Sequence, residues 1–145
     1  MNKKETLRLF GGNMEIIADE SETNGQFDML KNVLDADVEV PLHMHTRYSE
    51  TLYLISGKVT FFLKGQTVEL KAGEHFLVPM NTPHALLNSD EPAEGIVVSS
   101  PSGFARLLRT VGVPPDSGKE VDMELFKKVC EEVGDVLLGP PGTRP

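Results

Sequence analysis

Short runs of β-forming residues, each stopped by turn residues, fill most of the first hundred positions, and this punctuation constrains the fold more than any other feature. Thr6–Phe10 stops at Gly11-Gly12, and Met14–Ala18 stops at the polar stretch from Asp19 to Gly25. Phe27–Leu34, Val38–His45 and Glu50–Ile55 follow, the last closed by Ser56-Gly57. Lys58–Leu63 and Thr67–Leu70 flank Lys64-Gly65-Gln66, a short hairpin connection. His75–Val78, His84–Asn88 and Gly95–Ser99 complete the series. Strands this short and this evenly spaced predict an all-β sandwich or closed barrel.

After Pro101 the period changes to that of a helix. Ser102 is placed to cap Gly103–Val111, which Gly112 ends, and Asp122 to cap a second helix through Val133, which Gly134 ends. Met123, Phe126, Val129, Cys130 and Val133 share one face of that second helix, a stripe expected to pack on the outside of the barrel. Cys130 then reads as an inert buried thiol. With 145 residues the chain suffices for one well-buried core and falls short of two ordinary domains. The reading is a single domain over 1–145: N-terminal strands at 1–36, a barrel core at 37–100, a helical segment at 101–139 and a loosely held tail at 140–145.

Three of the chain's four histidines carry the chemistry. In a strand, alternate side chains share a face, so His43 and His45 aim at one point while Met44 faces away. Glu50 opens the next β-rich run, and His84 opens another after the turn-rich Pro79-Met80-Asn81-Thr82-Pro83. Paired histidines alone are weak evidence, since they also occur as solvated or satisfied core groups. Here each candidate lies at or near a strand end, where rigid backbone holds it. Three imidazoles and a carboxylate form a mixed nitrogen–oxygen set suited to one divalent transition metal: Fe, Mn, Ni, Cu or Zn.

The run His43-x-His45, Glu50, Gly57 resembles the first signature motif of the cupins. Gly73, Pro79, His84 and Asn88 resemble the second. The resemblance implies a small cupin β-barrel (double-stranded β-helix or jelly roll) with a short helical appendage, its metal held by His43, His45, Glu50 and His84. Asp37 and Asn81 stand where the motifs expect glycine; Asn tolerates positive φ well, so the second turn can still form. The segments Ser102-Gly103-Phe104 and Leu138-Gly139-Pro140-Pro141 are similar to the C-terminal parts of small cupins grouped with quercetin 2,3-dioxygenase. That likeness further implies a homodimer, with the N-terminal run Met14-Glu15-Ile16-Ile17 offering an apolar edge to the partner.

A net charge of −8 and a pI near 4.9 disfavour nucleic acid and anionic membrane as partners. One cysteine excludes an intrachain disulfide, no apolar stretch approaches a membrane span, and the N-terminus lacks a signal-peptide core, so the cytoplasm is the expected compartment. Ser99-Ser100 and Ser102 lack a nucleophile elbow, and no Gly-rich phosphate loop precedes a helix, so any chemistry runs through the metal.

Strand parity turns Leu52 and Leu54 inward with Glu50, Leu86 and Asn88 inward with His84, and Val59, Phe61 and Leu63 inward as the more apolar face of their run. Such a lining suits a small apolar or aromatic substrate, although packing alone also accounts for it. Arg47 and Tyr48, in the loop before Glu50, are within reach of the mouth, although such loop residues are more often merely solvated; His75 reads as a surface residue. Three functions are compatible with these residues. One is a dioxygenase with Glu50 as ligand and catalytic base, which the resemblance favours; the second is a Zn-dependent isomerase, cyclase or lyase; the third is a ligand-binding module without turnover.

Overall fold

The computed structural model describes residues 5–145 and turns each of the strand-like runs into a strand. These are β1 (Glu5–Leu9), β2 (Gly12–Ala18), β3 (Asp28–Leu34), β4 (Glu39–His45), β5 (Ser49–Ser56), β6 (Lys58–Leu63), β7 (Gln66–Lys71), β8 (His75–Val78), β9 (His84–Asn88) and β10 (Ala93–Ser100). Helices α1 (Glu20–Thr23), α2 (Phe104–Val111) and α3 (Met123–Val133) and a further strand, β11 (Asp135–Leu137), complete the chain. The strands form two antiparallel sheets, one ordered β1-β2-β3-β10-β5-β8 and the other β11-β4-β9-β6-β7. Their facing surfaces supply one core, with Leu34, Leu52, Leu54, Val78 and Ala93 from the first sheet and Val59, Phe61, Leu70 and Leu86 from the second. This is the two-sheet, cupin-like barrel that the spacing and motifs predict.

A second core joins Leu9, Met14, Ile16 and Leu30 to Leu107, Leu108 and Val111 of α2 and to Phe126, Val129, Cys130 and Val133 of α3. Its position corrects an expectation. Leu30 pairs with Val97, and Val97 pairs with Leu52, so these residues share one face of the sheet. The helices therefore cover the inner face of β1-β2-β3, alongside the second sheet, and not the outside of the barrel. Met123, at the start of the stripe, is exposed. The apolar run at Met14 is likewise no free edge, because β1 pairs along β2 and the helices bury Met14 and Ile16.

Capping follows the sequence in α3 and departs from it in α2. The Asp122 carboxylate accepts from the backbone N–H of Glu124 and Leu125, both at 3.1 Å, and Gly134 ends α3 at φ +84°, where glycine is favoured. Ser102 caps nothing. Instead Asp28, from β3, accepts from Gly103 N at 2.9 Å and Ala105 N at 3.0 Å. A residue distant in sequence thus supplies the acceptor that the helix start lacks.

The segment after α3 is neither wholly helical nor loosely held. β11 pairs with β4, and Leu138 N donates to Leu42 O at 2.8 Å. Beyond it, the Arg144 guanidinium lies 4.0 Å above the Phe62 ring and 3.7 Å from Glu39.

Both departures from motif glycine keep the glycine-like backbone, with Asp37 at φ 62° and Asn81 at φ 60°. Gly57 is held more strictly. At φ +87°, a Cβ there would come within 2.9 Å of Ala93 Cα and Pro92 O. Gly57→Ala is expected to lower stability by about 1–3 kcal/mol. Urea unfolding tests this, and an unchanged midpoint would show that the turn relaxes freely.

Candidate metal centre

A β-bulge sets up the centre. Val40 pairs with Leu86 and His43 with His84, so β4 advances three residues while β9 advances two. The extra residue at Pro41-Leu42 restores the inward phase at His43 and then His45, directly across from His84. The ring centroids of His43, His45 and His84 lie 4.2 to 5.1 Å apart, and their ligand atoms fall within 4.8 Å of one another.

Each imidazole is oriented by its Nδ1. His43 Nδ1 lies 2.7 Å from Pro41 O, His84 Nδ1 2.8 Å from Thr82 O, and His45 Nδ1 2.7 Å from Asp135 Oδ1. A carbonyl oxygen only accepts, so Nδ1 of His43 and of His84 carries the proton and each Nε2 keeps its lone pair. His84 Nε2 is buried and makes no hydrogen bond to protein, and His45 Nε2 has only the Glu50 carboxylate beside it. The unpartnered lone pair of His84, with two further imidazoles and a carboxylate converging on it, fits a metal ion, because a buried acceptor without a partner is otherwise costly. These three histidines are positioned to bind a metal ion. Glu50, on β5, faces them from the other sheet, with Oε2 3.3 Å from His45 Nε2.

Burial and neighbouring charge separate the titrations. Burial, with His43 adding to it, holds His84 down to about 4, and burial and His45 lower His43. Burial also opposes charge on His45 and Glu50. The Asp135 and Glu50 carboxylates outweigh it and raise His45 to about 9, while the adjacent imidazoles bring Glu50 down to about 2. A histidine depressed on folding lets the unfolded chain take up its proton first. The stability carried by His84 is therefore full above about pH 6.5 and lost as pH falls towards 4, by on the order of 3 kcal/mol. His45 works in the opposite sense, stabilising below about 6.5 and losing that contribution as pH rises through 9. Denaturation of metal-free protein should show greatest stability near pH 6.5; a flat profile between pH 4 and 9 would contradict these environments.

Of the two loop residues, Arg47 is exposed, the commoner case for a loop, and Tyr48 is not. Tyr48 is fully buried, stacked on His45 at 4.5 Å, with its hydroxyl donating to Asp135 Oδ1 at 2.7 Å. Burial, reinforced by Asp135 and Glu50, raises its pKa well above 10, so the phenol stays protonated. Arg47 turns away and donates to Glu132 O at 2.7 Å. Neither reaches the mouth. Asp135 escaped sequence reading altogether, because it lies 90 residues from His45 and directly follows a helix stop.

Side-chain parity in the strands is as expected. Leu52, Leu54, Val59, Phe61, Leu86 and Asn88 are buried, whereas Tyr53 and Ile55 are exposed. Asn88 serves the fold, its amide donating to Asp35 O and Glu91 O. His75 is exposed, and burial pushes the Cys130 thiol up to about 11, which keeps it inert. Two surface clefts of about 410 and 310 Å³ lie apart from the three histidines. No helix among the described residues is long and apolar enough to cross a membrane.

Known proteins share this architecture. The Cupin domain family matches residues 33–99. Quercetin 2,3-dioxygenase of Bacillus subtilis (strain 168) is 29% identical over 99 residues, which cover 68% of this chain and 29% of that protein. The chain thus corresponds to less than a third of that relative's length. Among solved structures, an RmlC-like cupin from Shewanella frigidimarina is 23% identical with a TM-score of 0.60, over 69% of this chain and 86% of that one. The polyketide cyclase RemF from Streptomyces resistomycificus is 21% identical with a TM-score of 0.57, over 68% and 72%. Identities this low speak for the fold. With the two-sheet barrel and the histidine cluster, the matches make this chain similar to small cupins and to the quercetin 2,3-dioxygenase-like group.

Proposed function

We propose that His43, His45, His84 and Glu50 hold one divalent transition metal, and that the chain is an enzyme acting on a small apolar or aromatic molecule, a dioxygenase before other chemistries. The convergence of the three imidazoles, one of them with an unpartnered buried Nε2, and of Glu50 Oε2 beside His45 carries this reading. Bound there, a redox-active ion supplies Lewis acidity and electron exchange with dioxygen. The protein's own groups do the rest. Glu50 remains ionised at neutral pH, as a carboxylate ligand must, and its position beside the histidines makes it the group placed to accept a proton from an enol or phenol. Leu137 pairs with His43 and is 45% exposed, giving the rim an apolar wall on the histidine side.

The likeness to quercetin 2,3-dioxygenase favours oxygenation, and the test is metal analysis of freshly purified protein paired with oxygen uptake on flavonols and β-diketones. Oxygen consumption with a redox-active ion present is the expected result. Zinc at full occupancy with no uptake would overturn the dioxygenase and leave a Lewis-acid isomerase or cyclase.

A symmetric dimer is part of the same reading. The outer face of the first sheet exposes Tyr53, Ile55 and Leu77 side by side, since Leu77 pairs with Thr51 on the face that Tyr53 shares. Sedimentation at micromolar concentration should give a species of two chains, and a monomer alone would refute it.

A further inference from the structure

The three histidines are not held alike. His43 and His84 each find an acceptor two residues back in their own strand or turn, the carbonyls of Pro41 and Thr82. His45 finds none nearby and relies on Asp135 Oδ1 at 2.7 Å. That carboxylate oxygen also accepts from Tyr48, whose ring stacks on His45, so the imidazole is fixed in its plane as well as along its hydrogen bond. Asp135 is itself well anchored. It pairs with His45 across β11 and β4, and it follows Gly134, whose carbonyl accepts from Thr46 N at 2.8 Å and Thr46 Oγ1 at 2.6 Å. Gly134 in turn terminates α3, whose buried face belongs to the second core.

We propose that Asp135 is a positioning residue for the metal, orienting His45 so that its Nε2 faces the site, and that α3 and β11 are therefore part of the metal centre and no mere appendage. This inference rests on the metal-site reading above. It extends it to a segment that lies wholly outside the matched cupin region at 33–99. The carboxylate acts through His45 and touches no reacting atom.

The test loads wild type, Asp135→Asn, Asp135→Ala and Tyr48→Phe with Zn²⁺ alone and measures affinity by chelator competition. Zinc should bind about tenfold more weakly in Asp135→Asn and up to about a hundredfold more weakly in Asp135→Ala, the range for losing an outer partner of a ligating histidine. Tyr48→Phe should fall between wild type and Asp135→Asn. A second readout separates positioning from general destabilisation. In the zinc-loaded protein, NMR should resolve one ring N–H proton for each histidine. The His45 signal should shift or vanish in the Asp135 variants while those of His43 and His84 remain. Affinity within about twofold of wild type in Asp135→Ala, or equal disturbance of all three signals, overturns the proposal. Should Asp135→Ala fail to fold, the near-isosteric Asp135→Asn decides by the same criteria. Wild type that takes up no zinc would instead sink the metal-site reading itself, which keeps the two failures apart.

Discussion

Protein carrying His43→Ala or His84→Ala is expected to lose nearly all of its metal. Each change removes a direct bond and leaves the opposite imidazole facing an empty position, since His43 and His84 are directly paired across β4 and β9. The loss should exceed the roughly 10–100-fold typical of outer-shell substitutions. Metal content per chain after dialysis, measured by elemental analysis against wild type, checks it. Full occupancy in both variants would show that the ion, if bound, sits elsewhere. His84 is fully buried and His43 is not, so circular dichroism of both variants accompanies the metal analysis to show that the fold survives.

Glu50→Gln is expected to separate binding from turnover. The amide keeps the shape and an oxygen ligand but loses the basicity of the carboxylate, so much of the metal should remain. If Glu50 is the base, kcat should fall by about 10²–10⁴, the usual contribution of general-base catalysis. Near-normal kcat with metal bound would reduce Glu50 to a ligand. The geometry permits both roles, because Glu50 projects from the sheet opposite the three histidines, beside His45 Nε2.

Much of the architecture was legible from local chemistry. The strand runs appeared with shifts of one or two residues, since β-branched and aromatic clusters broken by Gly, Asn and Pro leave few alternatives. Inward parity at Leu52, Leu54, Val59 and Phe61 followed from the two-residue period, as did exposure of Tyr53 and Ile55. The motif departures at Asp37 and Asn81 were tolerable for the reason anticipated for Asn, a side chain that accepts positive φ. Asp122 and Gly134 mark α3 by rules that involve only neighbours along the chain.

What escaped involves partners far apart in sequence. Asp28 caps α2 from 75 residues away, and Ser102, the local candidate, does not. The helices settled on the inner face of β1-β2-β3 because that sheet extends past its partner and leaves Met14, Ile16 and Leu30 to be covered. β11 is three residues long, too short to show a period, and exists because β4 offers it an edge. The spacing of His43, His45, Glu50 and His84 along the strands was enough to name the candidate ligands, because strand periodicity is a property of the backbone alone. Their orientation was not. It depends on a bulge visible only against β9, and on an aspartate and a tyrosine that meet at His45 only when α3 docks. Hydrogen bonds that reach across the fold leave no trace in local residue patterns, so the candidate ligands of this site are written in the sequence and their support is written in the tertiary structure.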